Sequence, residues 1–397
     1  MKKFHPMSKP EPVTEDVLVP TPFGDLAVRK NRSWQPGDGA LPFIGLEQIR
    51  PYSLELSDDG FETEVSSNKV HFARGDILYG KLRPYFRKCV RAPFDGICST
   101  EIWVVEPKSA ELIDADFLYW VMADSAFSDF ANLGETGTRM PRASWDHVAA
   151  YEVLLPGLDE QKRIASVLNI LAERVAGLRH LSSVAGACAQ SLASTAPGTC
   201  HVSDLATVTR VSFDPTKHTP EIVDHYSLPS FDAGKTPERV VAETIGSGKF
   251  EVRTASVLLS RLNPATNRTW LVFPSNDVSR SVCSTEYAVL EPTSVGVGEL
   301  WAVTSDDEAC AILAKAVTGT SASHQRIRAE AVLALDVPDP RTLREEERVE
   351  LEALATTQVQ ASREIAELVA MRDFLLPRLL SGELRVSEAE TQLEEVS

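Results

Sequence analysis

Lys81, Arg83, Arg87, Lys88 and Arg91 interleave with Tyr85 and Phe86 within one short stretch. Guanidinium and ammonium groups at this density, separated by aromatic rings, suit the phosphate oxygens and base edges of a nucleic acid. Any one of them is equally well read as the solvated edge of a strand, but as a cluster in an acidic chain they point to an anionic ligand. Arg261, Arg268 and Arg280 occupy the corresponding stretch later in the chain. A second cationic feature follows a Thr-Gly-Thr segment: Arg139 and Arg142 after Thr136, and His324, Arg326 and Arg328 after Thr318. A Gly/Thr-rich loop can donate backbone N–H groups to phosphate while its arginines add bidentate hydrogen bonds. The plainer reading of these loops is that they cap the next element.

Glu101 and Glu286 each end a Cys-Ser-Thr-Glu block and resemble a pair of catalytic acids. They sit at equivalent points of a repeat, so duplication explains them, and a structural carboxylate accepting local hydrogen bonds is expected. Other enzyme signatures fail on inspection. Gly246-Ser247-Gly248-Lys249 has Glu243 where a phosphate loop needs its first glycine and Phe250 where it needs Ser or Thr. Asn263-Pro264-Ala265-Thr266 lacks the aromatic residue that would hold a flipped base. No glycine-rich S-adenosylmethionine motif and no HExxH metal motif is present, and the eight histidines are scattered.

The elements that position these residues occur twice. GDILYGKLRP (Gly75 to Pro84), CSTEIWVVEP (Cys98 to Pro107) and TGTRMPRASW (Thr136 to Trp145) are followed by ASVLLSRLNP (Ala255 to Pro264), CSTEYAVLEP (Cys283 to Pro292) and TGTSASHQRI (Thr318 to Ile327). The order is the same and the offset stays between 180 and 185 residues, far longer than the period of a solenoid. Two units with a common plan follow. Alternating strand patterns such as Glu101 to Val105, and a helical pattern from Ala115 to Phe130, make the first unit a mixed α/β domain.

After each unit the period changes. Ile164, Leu168, Leu171, Val175 and Leu178 recur at the four-three spacing of a coiled-coil seam, continued by Ala185 and Leu192. A helix from Asp159 to Ala193 would be about 50 Å long, ended by Ala196-Pro197-Gly198. Leu351, Leu354, Ala361, Ile365, Leu368, Leu375 and Leu379 form a second stripe, interrupted by Gln358 and Arg372. Each stripe needs a partner. The economical partner is the other helix, antiparallel if the units are related by a pseudo-twofold; packing of each helix on its own unit is the alternative.

The 397 residues carry a net charge of −17, which argues against a simple nucleic-acid binder, since Lys and Arg contacts to phosphate dominate such affinity. Both units remain net acidic, so a DNA-facing surface must be a local basic patch, with partner subunits supplying further positive charge. The six cysteines show no CxxC or Cys/His spacing, so neither zinc nor a disulfide framework is indicated. No apolar run approaches the length of a membrane span, and MKKFHPMSKP lacks a signal-peptide core. A cytoplasmic protein is the expectation.

With these blocks in place the sequence resembles the specificity subunits of type I restriction-modification systems. The resemblance rests on the doubled blocks above, on LPGLDEQKRIASVL (Leu155 to Leu168), on YSLPSFDAGKTPE (Tyr226 to Glu238), SGKFEV (Ser247 to Val252) and SRLNP (Ser260 to Pro264), and on FLLPRLLSGELRV (Phe374 to Val386). It implies an α/β (α+β) architecture of two tandem target-recognition domains, each followed by a long helix, the helices pairing as an antiparallel coiled coil. The expected divisions are an extended arm 1–20, a first recognition domain 21–157, a spacer helix 158–196, a second recognition domain 200–338, a second helix 341–381 and an acidic tail 382–397. It further implies a non-catalytic subunit that reads a split double-stranded DNA target and scaffolds two adenine-methylating modification subunits and translocase/nuclease subunits. S-adenosylmethionine, ATP and magnesium would belong to those partners, with no cofactor, metal or membrane partner for this chain. A subunit of a related antiphage or methylation-only system is the alternative. The expected DNA-binding residues are Lys81, Arg83, Arg87, Lys88, Arg139, Arg142, Arg261, Arg268, His324 and Arg326. The second unit lacks the Glu-Gln-Lys-Arg-Ile run of the first, reading VPDPRTLREEERVELEAL (Val337 to Leu354) instead.

Overall fold

The computed structural model describes residues 18–57, 60–63, 65–134, 140–274, 278, 280–317 and 325–396. Two compact units are present: residues 1–171 with 371–397, and residues 172–370.

In the first unit the period-two stretches form two four-stranded sheets. One runs in the order Ala27–Lys30, Ile102–Pro107, Ile77–Gly80, Cys89–Arg91, all antiparallel. The other runs Ser33–Trp34, Lys69–Phe72, Gly96–Cys98, Phe43–Ile44, and its last pairing is parallel. The second unit repeats the plan. Ala206–Thr209, Tyr287–Pro292, Ser256–Ser260 and Thr269–Val272 form one sheet; Ser212–Phe213, Lys249–Val252, Arg280–Cys283 and Ile222–Tyr226 form the other, extended by Glu238–Val241. The two short strand pairs Val19–Pro22 with Glu152–Leu155, and Thr199–His201 with Asp336–Pro338, tie the start of each sheet region to the segment that enters the following long helix. Where the sequence suggests an arm as far as residue 20, Val19–Pro22 is thus a paired strand.

The strands that carry the repeated blocks are buried over most of their length. Ile77–Gly80 and Ser256–Ser260 have no exposed residue, and Leu78, Val104, Leu258 and Val289 are fully inaccessible. The helical pattern expected over Ala115 to Phe130 resolves into Ala115–Ala123 and Ser125–Leu133. Asp124 stands between them in extended conformation, ending one helix and starting the next.

The long helices are Leu158–Ala193 and Glu345–Ser381. In the second unit their segments run antiparallel: Arg174 pairs with Glu364, while Ala189 and Ala193 share a core with Leu351 and Ala355. In the first unit Ile164, Leu168 and Leu171 are buried, as are Leu375, Leu376 and Leu379. Arg372 is buried on that stripe as well, its guanidinium turned onto the neighbouring Asp373 carboxylate at 2.7 Å. Beyond Gly382 the acidic tail forms a further helix, Val386–Val396, which buries Val386 and Ala389.

Each long helix grips a short helix of its unit through polar side chains. In the first unit Gln161 accepts from the Asp114 N–H at 2.8 Å and donates to the Pro156 and Leu112 carbonyls, while Asn169 joins Trp120 Nε1 at 2.9 Å to the Asp116 carboxylate at 2.7 Å. In the second unit the Glu352 carboxylate accepts from the Gly298 and Glu299 N–H groups at 2.8 and 3.1 Å. A Cβ at Gly298 would lie 2.7 Å from the Leu351 carbonyl, so glycine is what lets this helix start approach Glu352.

Burial raises the Glu352 pKa against the pull of these two N–H donors, and the nearby Glu299 carboxylate adds to the rise. A carboxyl whose folded pKa lies above its unfolded value favours folding below the unfolded pKa and loses that contribution as pH rises through the folded one. The first unit uses amides for the same task. Glu352→Gln, which keeps the acceptor oxygen and removes the charge, is expected to raise the Tm near neutral pH and to leave it unchanged at acid pH, where Glu352 is already protonated. A lower Tm near neutral pH, measured by calorimetry, would show that ionised Glu352 is the stabilising form.

Candidate nucleic-acid interface

The repeated blocks converge at one junction in each unit. In the first, the segment after Ile77–Gly80 is clamped on both sides: Lys81 N–H donates to the Glu101 carbonyl at 3.0 Å, Arg83 N–H to the Pro141 carbonyl at 2.8 Å, and Ala143 N–H to the Lys81 carbonyl at 2.9 Å. In the second, Arg261 N–H donates to Glu286, Asn263 N–H to Gln325, and Ile327 N–H to Arg261, at 2.8, 2.8 and 3.0 Å. Leu82 bridges to Arg142 and Leu262 to Arg326 in the same antiparallel sense. Arg83 and Asn263 both adopt left-handed backbone, φ 52° and 49°. Asparagine tolerates that region, whereas arginine is strained in it.

Glu101 and Glu286 hold these junctions together. Ser99 and Ser284 hydroxyls accept from the Glu101 and Glu286 N–H groups at 3.2 Å each, so the Ser-Thr-Glu block folds into a turn that aims the carboxylate. Glu101 then binds Arg142 through two bonds of 2.9 and 3.1 Å, and Glu286 binds Arg326 through two of 3.0 and 2.7 Å. Bidentate pairing fixes guanidinium orientation as well as position. The Glu101 pair raises the Arg142 pKa further, and Arg142 Nη1 also donates to the Met140 carbonyl at 3.3 Å, so both guanidinium groups are first of all structural ties.

The other cationic residues fall into distinct groups. Lys81 is half-buried and Arg83 exposed, and among the described residues neither side chain meets a carboxylate. Arg87 reaches Asp129 at 3.3 Å, a pair exposed on both sides and therefore easily exchanged. Lys88 points inward: its ammonium donates to the Leu46 carbonyl, and burial lowers its pKa. In the second unit Arg268 is held by Asp232 through bonds of 2.7 and 2.9 Å, and Arg261 donates to the Thr285 carbonyl. Arg280 bridges Glu221 and Glu251 at 3.1 and 2.6 Å, and Arg91 pairs with Asp116 at 2.8 Å. Arg139 and His324 lie outside the described residues.

Tyr52, which no spacing rule in the sequence singles out, joins the first junction. Its N–H donates to the Phe86 carbonyl at 3.1 Å, and its ring meets Phe86 edge-on at 6.4 Å. The junction therefore combines two cations that meet no carboxylate among the described residues, a strained turn and exposed aromatic rings. Such a surface offers charge-assisted bonds to phosphate and apolar contact to base edges. No cluster of potential metal ligands occurs among the described residues, and no helix there is long and apolar enough to cross a membrane.

Residues 30–180 match the family model described as the type I restriction modification DNA specificity domain. The type I restriction enzyme EcoDI specificity subunit of Escherichia coli is 36% identical over 103 residues, which is 26% of this chain and 22% of that protein. The matched stretch thus spans about a fifth of that relative's length. Among solved structures, the type I restriction-modification S subunit from M. genitalium is similar with a TM-score of 0.55 at 12% identity, over 93% of this chain and 98% of that one. The HsdS subunit of Thermoanaerobacter tengcongensis aligns with a TM-score of 0.37 at 16% identity, over 93% of this chain and 97% of that one. At 12% identity the likeness to the M. genitalium subunit is one of fold.

Proposed function

We propose that the chain, whose residues 30–180 match the model of the type I restriction modification DNA specificity domain, is a specificity subunit of that kind and reads a two-part double-stranded DNA target, one part per unit. The observation that carries this reading is the doubled junction. The framework bonds of Lys81, Arg83 and Ala143 recur at Arg261, Asn263 and Ile327, yet the side chains presented differ, KLRPYFRK against RLNPATNR. A constant frame with variable contacts is what two readers of unlike half-targets require.

In this reading the chain is a non-catalytic scaffold. Methyl transfer to adenine resides in two modification subunits that bring S-adenosylmethionine, and translocation and cleavage in restriction subunits that bring ATP and magnesium. Lys81 and Arg83 in the first unit, with Arg87, Arg139 and Arg142 around them, and Arg261, Arg268, His324 and Arg326 in the second, make up the DNA-facing set. Lys88 supports the turn from within.

The test is single-molecule sequencing of methyladenine in cells that express this chain with a modification subunit encoded beside it. The expected result is one methylated motif made of two defined parts separated by a fixed number of undefined bases. A continuous motif, or unaltered methylation when this chain is deleted, would overturn the proposal.

A further inference from the structure

Among the described residues six non-glycine positions have left-handed backbone, and four of them, Tyr52, Leu54, Arg83 and Arg87, lie in two touching segments of the first unit. Their φ values are 61°, 62°, 52° and 50°. Each such conformation is strained and persists only where its surroundings hold it there. The hold is visible: the Phe86 carbonyl accepts from Tyr52 N–H, the Arg83 carbonyl from Phe86 N–H, and the Pro84 carbonyl from Arg87 N–H.

This arrangement turns aromatic rings outward. Phe86 is the half-buried hub, with Tyr85 at 4.6 Å and Tyr52 at 6.4 Å between ring centroids. Tyr85 remains 41% exposed and Tyr52 55% exposed. A cluster serving only as local core would bury these rings, and a strained turn is a poor way to expose them without a use. Lys81 and Arg83 adjoin the rings in sequence and meet no carboxylate among the described residues, so a partner carrying negative charge suits the aromatic face. The equivalent turn of the second unit, Asn263 to Arg268, holds no aromatic residue and only one left-handed position.

Duplex DNA satisfies both requirements at the floor of the major groove, where the thymine 5-methyl is the one apolar group between two rows of phosphates. We propose that Tyr52 and Tyr85 form an apolar reading face that recognises thymine through its 5-methyl group, in the half-target met by the first unit alone. This rests on the DNA-reading function proposed above and deepens it: the first unit selects partly by apolar contact, while the second relies on polar side chains.

The experiment uses the chain assembled with its modification subunit and duplexes carrying its methylated target. Uracil replaces thymine in one half-target at a time, which removes the methyl and keeps base pairing. Wild-type affinity is expected to fall about four-fold per contacted methyl, the worth of one methyl-sized group taken from water, in one half-target and not the other. Tyr85→Ala and Tyr52→Ala are expected to bring the thymine-to-uracil affinity ratio towards one while the salt dependence stays as in wild type. Uracil without effect in both halves, equal effects in both halves, or a ratio unchanged in both variants would overturn the proposal. So would half-targets lacking any A·T pair, or tyrosine variants that assemble more weakly with the modification subunit while the complex that does form retains the ratio, which would make the rings a protein contact. Failure of the wild-type assembly to bind any two-part target would instead refute the DNA-reading function itself.

Discussion

Replacing Lys81 and Arg83 together by alanine is expected to weaken DNA binding of the assembled complex about 30-fold at ~0.15 M salt. Each phosphate contact releases roughly 0.9 of a counterion, so its loss removes a factor of about five to six at that salt concentration, and two contacts multiply. The logarithmic salt slope should flatten by about 1.8. These two side chains are the clearest choice because neither meets a carboxylate among the described residues, whereas Arg142, Arg268 and Arg326 are each held by one. Their backbones are fixed by the bonds to Glu101 and Pro141, so truncation should leave the turn in place. Titrations at several salt concentrations decide the matter: weaker binding with an unchanged slope would mean that the turn does not face phosphate.

Trp120→Ala should cost about 4 kcal/mol of stability, in the range for removing a large buried aromatic side chain. Trp120 is completely buried, and its indole N–H binds Asn169 of the first long helix. The substitution therefore opens a cavity and releases one of the polar grips between the short helix Ala115–Ala123 and the long one. A fall in Tm of roughly 10 °C is expected for the first unit. Trp120→Phe should cost about half as much, because much of the volume is refilled and only the hydrogen bond is lost. A calorimetric loss below about 1 kcal/mol for the alanine variant would show that this helix is not docked as described.

The sequence made the repeated strands and both long helices legible because each is encoded locally. Ile164, Leu168, Leu171 and Val175 follow the seam period and are buried; the doubled Ser-Thr-Glu blocks fold into matching turns. What remained hidden depends on partners far along the chain. The Glu101–Arg142 tie joins residues whose separation no spacing rule connects, and Lys88, one more cation in a basic run, turns inward because the Leu46 carbonyl awaits it. The helical reading across Asp124 missed a break made by one residue in extended conformation. The acidic run after Gly382 looked like a tail, but Val386 and Ala389 give it a buried side. Tyr52 carried no signal beyond being an aromatic residue in an irregular segment.

The first unit is discontinuous: residues 371–397 complete it, after the whole of 172–370 has formed the second. Gly382 comes so close to Leu18 that a Cβ there would strike that side chain, and Leu375, Leu376 and Leu379 add to the buried stripes of the same unit. On the ribosome, then, the unit encoded first is the last to be finished. A nascent chain halted before residue 371 holds every residue of the second unit and lacks the closing segment of the first. Completion of the first unit therefore requires that translation has already run through most of the long helix Glu345–Ser381.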